Sequence, residues 1–229
     1  MIKIKHGLKK YSTTAFNFIS DLLYPNICFY CKDFIKTKDT LCKQCLELVC
    51  PVVSKTICVT PKYSVKVFAI SDYKDPIRAL ILSKGYSDIV TSRRLGQLIW
   101  DMTYVSNVDF DVIIPIPLHW SRFATRGFNQ AKEIASVISK KSGKPIRDIL
   151  KRKKMTKRQS GLTAKKRIEN LAKAFALRGN ASELADYRGK NLLLVDDLMT
   201  TGSTMLVAAR TLVALHPGSI TAAVASRVV

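Results

Sequence analysis

Residues 192–204, LLLVDDLMTTGST, decide the fold of this 229-residue chain. Residues 191–195, NLLLV, are of strand length and after Asn191 form an uninterrupted apolar run, as a strand covered on both faces requires. This strand delivers Asp196 and Asp197 to its carboxyl end, and a loop of small and hydroxylated residues then opens a helix predicted over 203–215. In an open α/β sheet, ligands bind beyond the carboxyl ends of the strands. The stretch therefore predicts both a parallel sheet and a ligand site at its edge.

The loop after the paired acids has the chemistry of a phosphate site. The start of a helix offers N–H groups without intrahelical partners and the positive end of the helix dipole. Gly202 lets the backbone approach a ligand closely, and hydroxyl groups supply further donors. The two carboxylates can accept from a pair of vicinal hydroxyls or bind a divalent ion. A ribose 5-phosphate satisfies both ends of the predicted site, whose phosphate loop is Thr200, Thr201, Gly202, Ser203 and Thr204.

Two other interpretations account for only some of the residues in this stretch. An apolar strand followed by two acids also occurs at the magnesium site of nucleoside triphosphatases, but that site requires a Gly-x4-Gly-Lys-[Ser/Thr] loop. The two Gly-Lys pairs, at Lys144 and Lys190, are followed by Pro145 and Asn191, so this loop is missing. A purely structural capped helix would not require the paired acids.

The rest of the chain alternates strands and helices, which indicates βαβ units and a largely parallel sheet. Periodicity and breakers predict strands over 63–70, 111–117 and 219–229, and helices over 75–82, 92–104, 129–141 and 165–175. A further helix is predicted over 12–24, before Pro25. We divide the chain into residues 1–60, an N-terminal helix and a cysteine-rich module, and residues 61–229, an α/β domain.

All six cysteines lie between Cys28 and Cys58. Four form two Cys-x2-Cys pairs separated by ten residues, namely Cys28, Cys31, Cys42 and Cys45. This spacing is typical of a tetrahedral zinc site with four thiolates, whose closed coordination shell indicates a structural role. Disulfides and an iron–sulfur cluster are the alternatives, and a cytosolic setting disfavours the disulfides. Cys50 and Cys58 are left outside the site.

The charge of the chain favours a polyanionic or phosphorylated partner. The sequence has 38 basic and 17 acidic residues, a formal net charge of +21. Residues 151–178 hold eleven lysines and arginines and a single acid, Glu169, so a phosphate-seeking loop is favoured over a solvated surface segment. The sequence contains neither a membrane-spanning apolar run nor the apolar centre of a signal peptide, which predicts a cytoplasmic protein. Its basic N-terminus is compatible with a position at the inner face of the membrane.

Residues 192–204 resemble the phosphoribosyl pyrophosphate signature of type I phosphoribosyltransferases. Residues 115–135, PIPLHWSRFATRGFNQAKEIA, are similar to the corresponding segment of the ComF family of competence proteins. The order of the parts matches as well: four cysteines after Leu-Tyr-Pro, then Tyr73 and Leu80, then the basic loop. The resemblance covers roughly residues 16–229. The chain departs from the family near Lys84, where the sequence reads SKGYSD instead of a lysine followed by an aromatic residue.

The resemblance implies a type I phosphoribosyltransferase fold with an N-terminal four-cysteine zinc finger. It implies catalytic roles for Asp196 and Asp197, and Mg²⁺ bound with phosphoribosyl pyrophosphate or ribose 5-phosphate. Pyrophosphate contacts are expected from Lys84, Arg122, Arg126 and Asn129, and a mobile loop over the site from residues that include Lys157, Gln159 and Arg167. His119 is a weaker candidate base.

The resemblance also implies a role in natural transformation, as single-stranded DNA enters the cytoplasm. Two alternatives to an enzyme remain open. One is a non-catalytic module that binds single-stranded DNA and keeps a ribose-phosphate pocket, and the other is an adaptor to a DNA-import ATPase or helicase. The acceptor of the reaction is not evident from the sequence.

Overall fold

The computed structural model describes residues 26–35, 39–50, 52, 54–83, 89–118, 123–124, 127–152 and 174–228. Contacts divide the chain into two compact units, Met1–Leu48 and Val49–Val229. The predicted boundary was at residue 60. The boundary in the structure comes earlier, so the first strand, Lys55–Cys58, belongs to the large unit. The predicted helix over 12–24 lies outside the described residues.

The small unit is a hairpin followed by a short helix. Ile27 and Phe34 form an antiparallel bridge, and the turn between them contains Lys32 at φ 69°. Helix α1 (Lys43–Glu47) begins after Cys42, whose sulfur accepts a hydrogen bond from the Cys45 N–H at 3.4 Å. Each Cys-x2-Cys pair therefore lies on its own tight turn, one in the hairpin and one at the start of α1.

The large unit is an α/β domain whose elements alternate as predicted. In chain order they are β1 (Lys55–Cys58), β2 (Ser64–Asp72), α2 (Ile77–Leu82), α3 (Ile89–Met102), a 3-10 helix (Tyr104–Asn107), β3 (Val112–Pro115), α4 (Gln130–Ser142), β4 (Leu150–Arg152), β5 (Phe175–Leu177), α5 (Ala181–Ala185), β6 (Asn191–Met199), α6 (Ser203–Val213) and β7 (Ser219–Arg227).

The main sheet has five strands in the order β1-β2-β7-β6-β3. The pairs β2–β7, β7–β6 and β6–β3 are parallel, and only β1 runs antiparallel, at the edge beside β2. The predicted mixed α/β fold with a mostly parallel central sheet is confirmed. Strands β4 and β5 form a separate antiparallel pair. Among the described residues, no helix has the length and apolar character needed to span a bilayer.

Strand β6 is the centre of the core. Residues 192–195 are 0% exposed, as the apolar run predicted for a strand covered on both faces. Helix α6 contributes Ala208 and Leu212 to the hydrophobic cluster that contains Leu192 and Leu194. Helices α3 and α4 pack closely at Gly96, where a Cβ atom would lie 2.9 Å from the carbonyl oxygen of Ile134.

Strands β1 and β4 and helix α5 were not predicted, and three of the predicted elements differ from the structure by more than two residues or in type. Strand β6 continues to Met199 instead of ending at Val195, so Asp196 and Asp197 lie within the strand because parallel pairing with β7 persists to its end. Helix α3 begins at Ile89, three residues before the predicted start at Ser92. The predicted helix over 165–175 is wrong at its carboxyl end: Phe175 opens β5, where its backbone pairs with Arg152 of β4.

Candidate functional site

The paired acids lie at the carboxyl edge of the sheet. Asp196 and Asp197 are consecutive residues of β6, and both are half-buried. The Asp197 N–H donates to Asp196 Oδ1 at 2.9 Å, which holds the Asp196 carboxylate close to the backbone. Successive side chains of a strand point to opposite faces. The two carboxylates therefore straddle the edge of the sheet instead of forming one cluster.

The loop between β6 and α6 has the geometry expected of an anion site. Gly202 adopts φ 77°, a left-handed conformation that L side chains disfavour, and lies directly before the first residue of the 11-residue helix α6. The Thr201 Oγ1 atom accepts from the Ser203 N–H at 3.4 Å and lies 2.8 Å from Ser203 Oγ. A Cβ atom at position 202 would lie only 3.1 Å from Ile57 Cδ1. The loop is thus shaped around a glycine.

A small depression at this edge of the sheet is lined by some of the predicted site residues. Its lining residues are Asp196, Leu198, Met199, Thr200, Gly202, Thr204 and Met205. The depression brings one acid together with three of the five predicted phosphate-loop residues. Asp197, Thr201 and Ser203 are neighbours in sequence but do not line it.

Asn129 anchors the segment that follows β3. Its Oδ1 atom accepts from the Ala131 N–H at 3.1 Å and caps α4, while its Nδ2 atom donates to the Ile116 carbonyl oxygen at 3.0 Å. Both ends of the side chain thus join the start of α4 to the end of β3. The predicted pyrophosphate contact from Asn129 stays a prediction.

Several predicted site residues lie outside the described residues. They are the pyrophosphate candidates Lys84, Arg122 and Arg126, the loop residues Lys157, Gln159 and Arg167, and His119. Their assigned roles stay predictions.

One ion pair at the same edge was not predicted. Arg227, the last residue of β7, donates from Nε to Asp72 Oδ1 at 3.1 Å, and Asp72 is the last residue of β2. Arg227 is also the register partner of Met199, which lines the depression. The available sequence signal was a charged residue near the end of each predicted strand: Asp72 follows the strand predicted over 63–70 by two residues, and Arg227 lies within the strand predicted over 219–229. Nothing in the sequence pairs two residues that are 155 positions apart.

The four predicted zinc ligands converge in the small unit. The sulfur atoms of Cys28, Cys31, Cys42 and Cys45 all lie within 4.8 Å of one another. Zn–S bonds of about 2.3 Å in a tetrahedron place sulfur atoms about 3.8 Å apart, and Cys31 Sγ and Cys42 Sγ are 3.7 Å apart. All six cysteines are among the described residues and no disulfide bond joins any two of them, so the disulfide alternative is wrong for this structure. The cluster has the composition and size of a zinc site.

The thiols of this cluster differ in acidity. Burial opposes ionisation of Cys28, but N–H groups of Cys42, Cys31 and Tyr30 donate to its sulfur and lower its pKa to about 6. Burial and the neighbouring thiols raise the pKa of Cys45 to about 11. The Asp33 N–H lowers the pKa of Cys31, but the Asp33 side chain and the other cysteines outweigh it and raise this pKa overall. Cys28 is therefore the most acidic of the three thiols whose pKa is shifted.

Comparison with known proteins assigns the region that contains this site to a known domain family. Residues 106–227 match the phosphoribosyl transferase domain family. The chain is 35% identical to competence protein F of Haemophilus influenzae over 147 residues, which cover 61% of the chain and 63% of that protein. It is 36% identical to competence protein ComFC of Bacillus subtilis over 103 residues (44% of the chain, 38% of that protein). It is 27% identical to the DNA utilization protein YhgH of Escherichia coli over 192 residues (78% and 80%).

The aligned regions span less than two thirds of the length of either competence protein. The family match covers β3, β6, the loop around Gly202, α6 and β7. It therefore includes both paired acids, the start of α6 and every residue that lines the depression. The chain belongs to the phosphoribosyl transferase domain family, and within it is a ComF-type protein with a four-cysteine cluster near its N-terminus.

Proposed function

We propose that the protein binds phosphoribosyl pyrophosphate with Mg²⁺ at the carboxyl edge of β6 and acts as a phosphoribosyltransferase in DNA uptake. The observation that carries this proposal is the depression in which Asp196, Thr200, Gly202 and Thr204 meet at the start of α6. Phosphate and vicinal hydroxyls are the two ligand groups that this combination suits.

The 5-phosphate would bind where β6 passes into α6. Helix α6 starts at Ser203, and its first N–H groups have no intrahelical partners to the N-terminal side. The absence of a Cβ atom at Gly202 permits close approach of a phosphate oxygen, and the hydroxyls of Thr200 and Thr204 can donate to it. This arrangement supplies both N–H and O–H donors without an arginine or lysine in the loop.

The ribose would lie across the carboxyl edge of β6, where Asp196 and Asp197 reach it from opposite faces of the strand. Their carboxylates can accept from the ribose hydroxyls and place negative charge near C1, which becomes positive as pyrophosphate leaves. Adjacent ionised carboxylates repel, so a cation or hydroxyl donors should accompany the ligand. When bound, Mg²⁺ would neutralise the leaving pyrophosphate. Lys84, Arg122, Arg126 and Asn129 remain the proposed pyrophosphate contacts, and the loop with Lys157, Gln159 and Arg167 the proposed lid.

The four-cysteine cluster would hold Zn²⁺ in a structural role. Four thiolates complete a tetrahedral shell and leave no position for a substrate. The small unit has few residues with which to form a core, so metal binding would supply its folding free energy.

Calorimetric titration of phosphoribosyl pyrophosphate with Mg²⁺ tests the enzyme proposal. We expect binding to the wild-type protein and a loss of about tenfold or more in Asp196→Asn, because a hydrogen bond to a charged group contributes about 1.5–3 kcal/mol. Asp186→Asn is the matched control, since Asp186 is an exposed acid at the end of α5. Absence of binding to the wild-type protein, or equal binding to Asp196→Asn, would refute the proposal.

A second candidate function is binding of single-stranded DNA, with or without catalysis. Six cations lie over aromatic rings within the described residues, and half-buried rings among them include Tyr63, with Lys62 at 5.8 Å, and Tyr73, with Arg78 at 5.9 Å. Such pairs, with a net charge of +21, suit phosphate and base stacking. The names of the curated relatives, competence protein and DNA utilization protein, also favour a role with DNA.

The two candidates separate experimentally. Asp196→Asn should lose phosphoribosyl pyrophosphate and keep its affinity for single-stranded DNA, which should fall steeply with salt. Loss of DNA binding in that variant, without sugar-phosphate binding in the wild type, would leave DNA handling as the function of this edge. An adaptor to a DNA-import ATPase or helicase would be favoured if neither ligand bound. All three functions belong in the cytoplasm or at the inner face of the membrane.

A further inference from the structure

The two halves of the four-cysteine cluster differ in their access to solvent. Cys28 and Cys45 are only 0% and 5% exposed. Cys31 is exposed and Cys42 is half-buried. Each Cys-x2-Cys pair therefore places one cysteine in the interior of the small unit and the other where a small reagent in solution can reach it.

The two accessible cysteines are neighbours in space. The Sγ atoms of Cys31 and Cys42 are 3.7 Å apart, although the residues are eleven positions apart in the chain. The sulfur atoms of a disulfide bond are about 2.05 Å apart, so a shift of less than about 2 Å would connect them. Because Cys31 lies in the hairpin and Cys42 directly before α1, such a bond would join the two turns of the cluster.

The interior sulfur of Cys28 is enclosed by backbone donors. The Cys42 N–H donates to Cys28 Sγ at 3.3 Å, and the N–H groups of Tyr30 and Cys31 also donate to it. These contacts, together with its burial, shield Cys28 from a reagent that approaches from solvent. A reaction of the cluster with such a reagent should therefore begin at Cys31.

Cys31 and Cys42 would both be thiolates when the cluster holds zinc. The thiolate is the form of cysteine that reacts as a nucleophile, and a cysteine that coordinates a metal is deprotonated outright. In the metal-free cluster the pKa of Cys31 is raised, so the zinc-bound protein is the reactive form. An accessible thiolate with a second thiolate beside it is the arrangement found in cysteines that respond to oxidants.

We propose that Cys31 and Cys42 form an oxidative modification site, at which hydrogen peroxide creates a disulfide between them and zinc is lost from the cluster. The Cys31 sulfur takes one peroxide oxygen to form a sulfenic acid, and the O–O bond breaks with its electrons on a departing hydroxide. The Cys42 sulfur then displaces a second hydroxide from Cys31 and closes the disulfide. Two protons from the buffer convert both hydroxides to water, so two thiolates are oxidised and one peroxide is reduced.

The modification would act as a reversible switch on the small unit. After it, only Cys28 and Cys45 remain as thiols, and two ligands do not complete the four-ligand shell of a structural zinc site. The small unit would then lose the folding free energy that metal binding supplies. A thiol reductant attacks the disulfide and restores both thiols. This inference rests on the proposed zinc site and is independent of the sugar-phosphate site.

The experiment treats the zinc-loaded full chain with hydrogen peroxide, measures released zinc with a chromogenic chelator and maps the disulfide by mass spectrometry. Trypsin cuts after lysine and yields the peptides 11–32, 39–43 and 44–55. Peptide 39–43 contains Cys42 and no other cysteine, so its partner peptide identifies the bond. A second cut by chymotrypsin after Tyr30 then separates the two cysteines of peptide 11–32.

Two histidine variants form a matched pair. Cys42→His and Cys45→His each leave three cysteines and one histidine, a ligand set that also holds zinc in structural sites. Cys45→His keeps both proposed reactants, whereas Cys42→His lacks the second sulfur. Cys50 and Cys58 are internal standards for the dose of peroxide, because both are exposed cysteines of the large unit.

We expect the wild-type protein and Cys45→His to release about one zinc ion per chain and to link peptide 39–43 to peptide 11–32 through Cys31. In Cys42→His this link should be absent, and dimedone should trap the sulfenic acid at Cys31. A reductant followed by fresh zinc should restore the bound metal. Cys58→Ser should release zinc at the wild-type rate.

Two results would overturn the inference. One is zinc that stays bound at a dose of peroxide that oxidises Cys50 and Cys58, and the other is a disulfide within either Cys-x2-Cys pair. If neither histidine variant holds zinc, the disulfide map of the wild-type protein alone decides. A wild-type protein that binds no zinc would reject the proposed zinc site and this inference with it, whereas the proposed enzyme function is tested separately by phosphoribosyl pyrophosphate binding.

Discussion

Gly202→Ala should destabilise the protein by two separable effects. The first is backbone strain, because Gly202 has φ 77° and ψ 0°, where an L residue costs about 1–2 kcal/mol. The second is steric, because the new Cβ atom would lie 3.1 Å from Ile57 Cδ1 on the neighbouring edge strand β1. The methyl group at the end of an isoleucine can move by a few tenths of an ångström, so we expect at most about 1 kcal/mol, the lower end of the cost of overpacking.

A matched glycine isolates the first effect. Gly143 caps α4 at φ 73° and ψ 1°, nearly the conformation of Gly202, but a Cβ atom there would meet nothing within 4 Å. Gly143→Ala should therefore show the strain alone. Ile57→Val removes Cδ1, so in that background Gly202→Ala should cost no more than Gly143→Ala does.

Denaturant unfolding of the two alanine variants, each in the wild-type and in the Ile57→Val background, measures all four costs. The excess cost of Gly202→Ala over Gly143→Ala should be up to about 1 kcal/mol with Ile57 and near zero with valine, a coupling that double-mutant cycles resolve. Binding of phosphoribosyl pyrophosphate should weaken in Gly202→Ala and not in Gly143→Ala. If the excess persists with valine, the contact with Ile57 does not shape the loop and the reasoning from this distance is refuted.

Three further outcomes are expected. Cys28→Ser should lose bound zinc, measured with a chromogenic chelator, whereas Cys58→Ser should keep it. Equal zinc content in both variants would show that the four-cysteine cluster is not the zinc site. If the small unit keeps its fold without metal, zinc binding should release about 0.7 more proton at pH 5.5 than at pH 7.5, because a Cys28 thiol with a pKa of about 6 is mostly protonated at the lower pH and ionised at the higher; calorimetry in buffers of different ionisation enthalpy counts the protons, and no change with pH would show that Cys28 has an ordinary pKa in the metal-free protein. Ile114→Ala, at a site that is 0% exposed, should cost about 2–5 kcal/mol in chemical unfolding, and Val90→Ala, at 57% exposure, less than about 0.5 kcal/mol; similar costs would place Ile114 outside the core.

The sequence predicted elements whose residues carry local signals. Helix α4 is an example, since Asn129 and Gly143 mark both ends and the observed bounds are Gln130–Ser142. The apolar run of β6 and the spacing of the cysteine pairs were equally local, and both were confirmed. Each signal lies within about a dozen residues of what it predicts, which is the range over which propensity and capping act.

Elements stabilised by distant partners were missed. Strand β1 has an exposed, exposed, intermediate, exposed pattern with no apolar alternation, and it is a strand because Lys55–Cys58 pairs with β2. Phe175 was assigned to a helix because the residues before it have helical spacing, but pairing with Arg152 across the chain places it in a strand. Pairing energy between remote segments overrides local propensity in both cases.

The lateral order of the sheet explains why half of the candidate site was predictable and the other half was not. Consecutive βαβ units lie side by side with right-handed crossovers, so β6 and β7 could be expected to be neighbours from the chain order alone. No comparable rule places β2 against β7, because a long stretch of chain separates them. That pairing brings Asp72 to Arg227 and gives β6 a polar flank opposite the segment after β3. A motif in consecutive residues predicts the strand and loop that it forms, here β6 and the loop before α6. The residues on either side of that strand depend on which strands are its neighbours in the folded sheet. The contacts that determine which ligand such a site accepts should therefore be sought at the ends of the strands beside the motif.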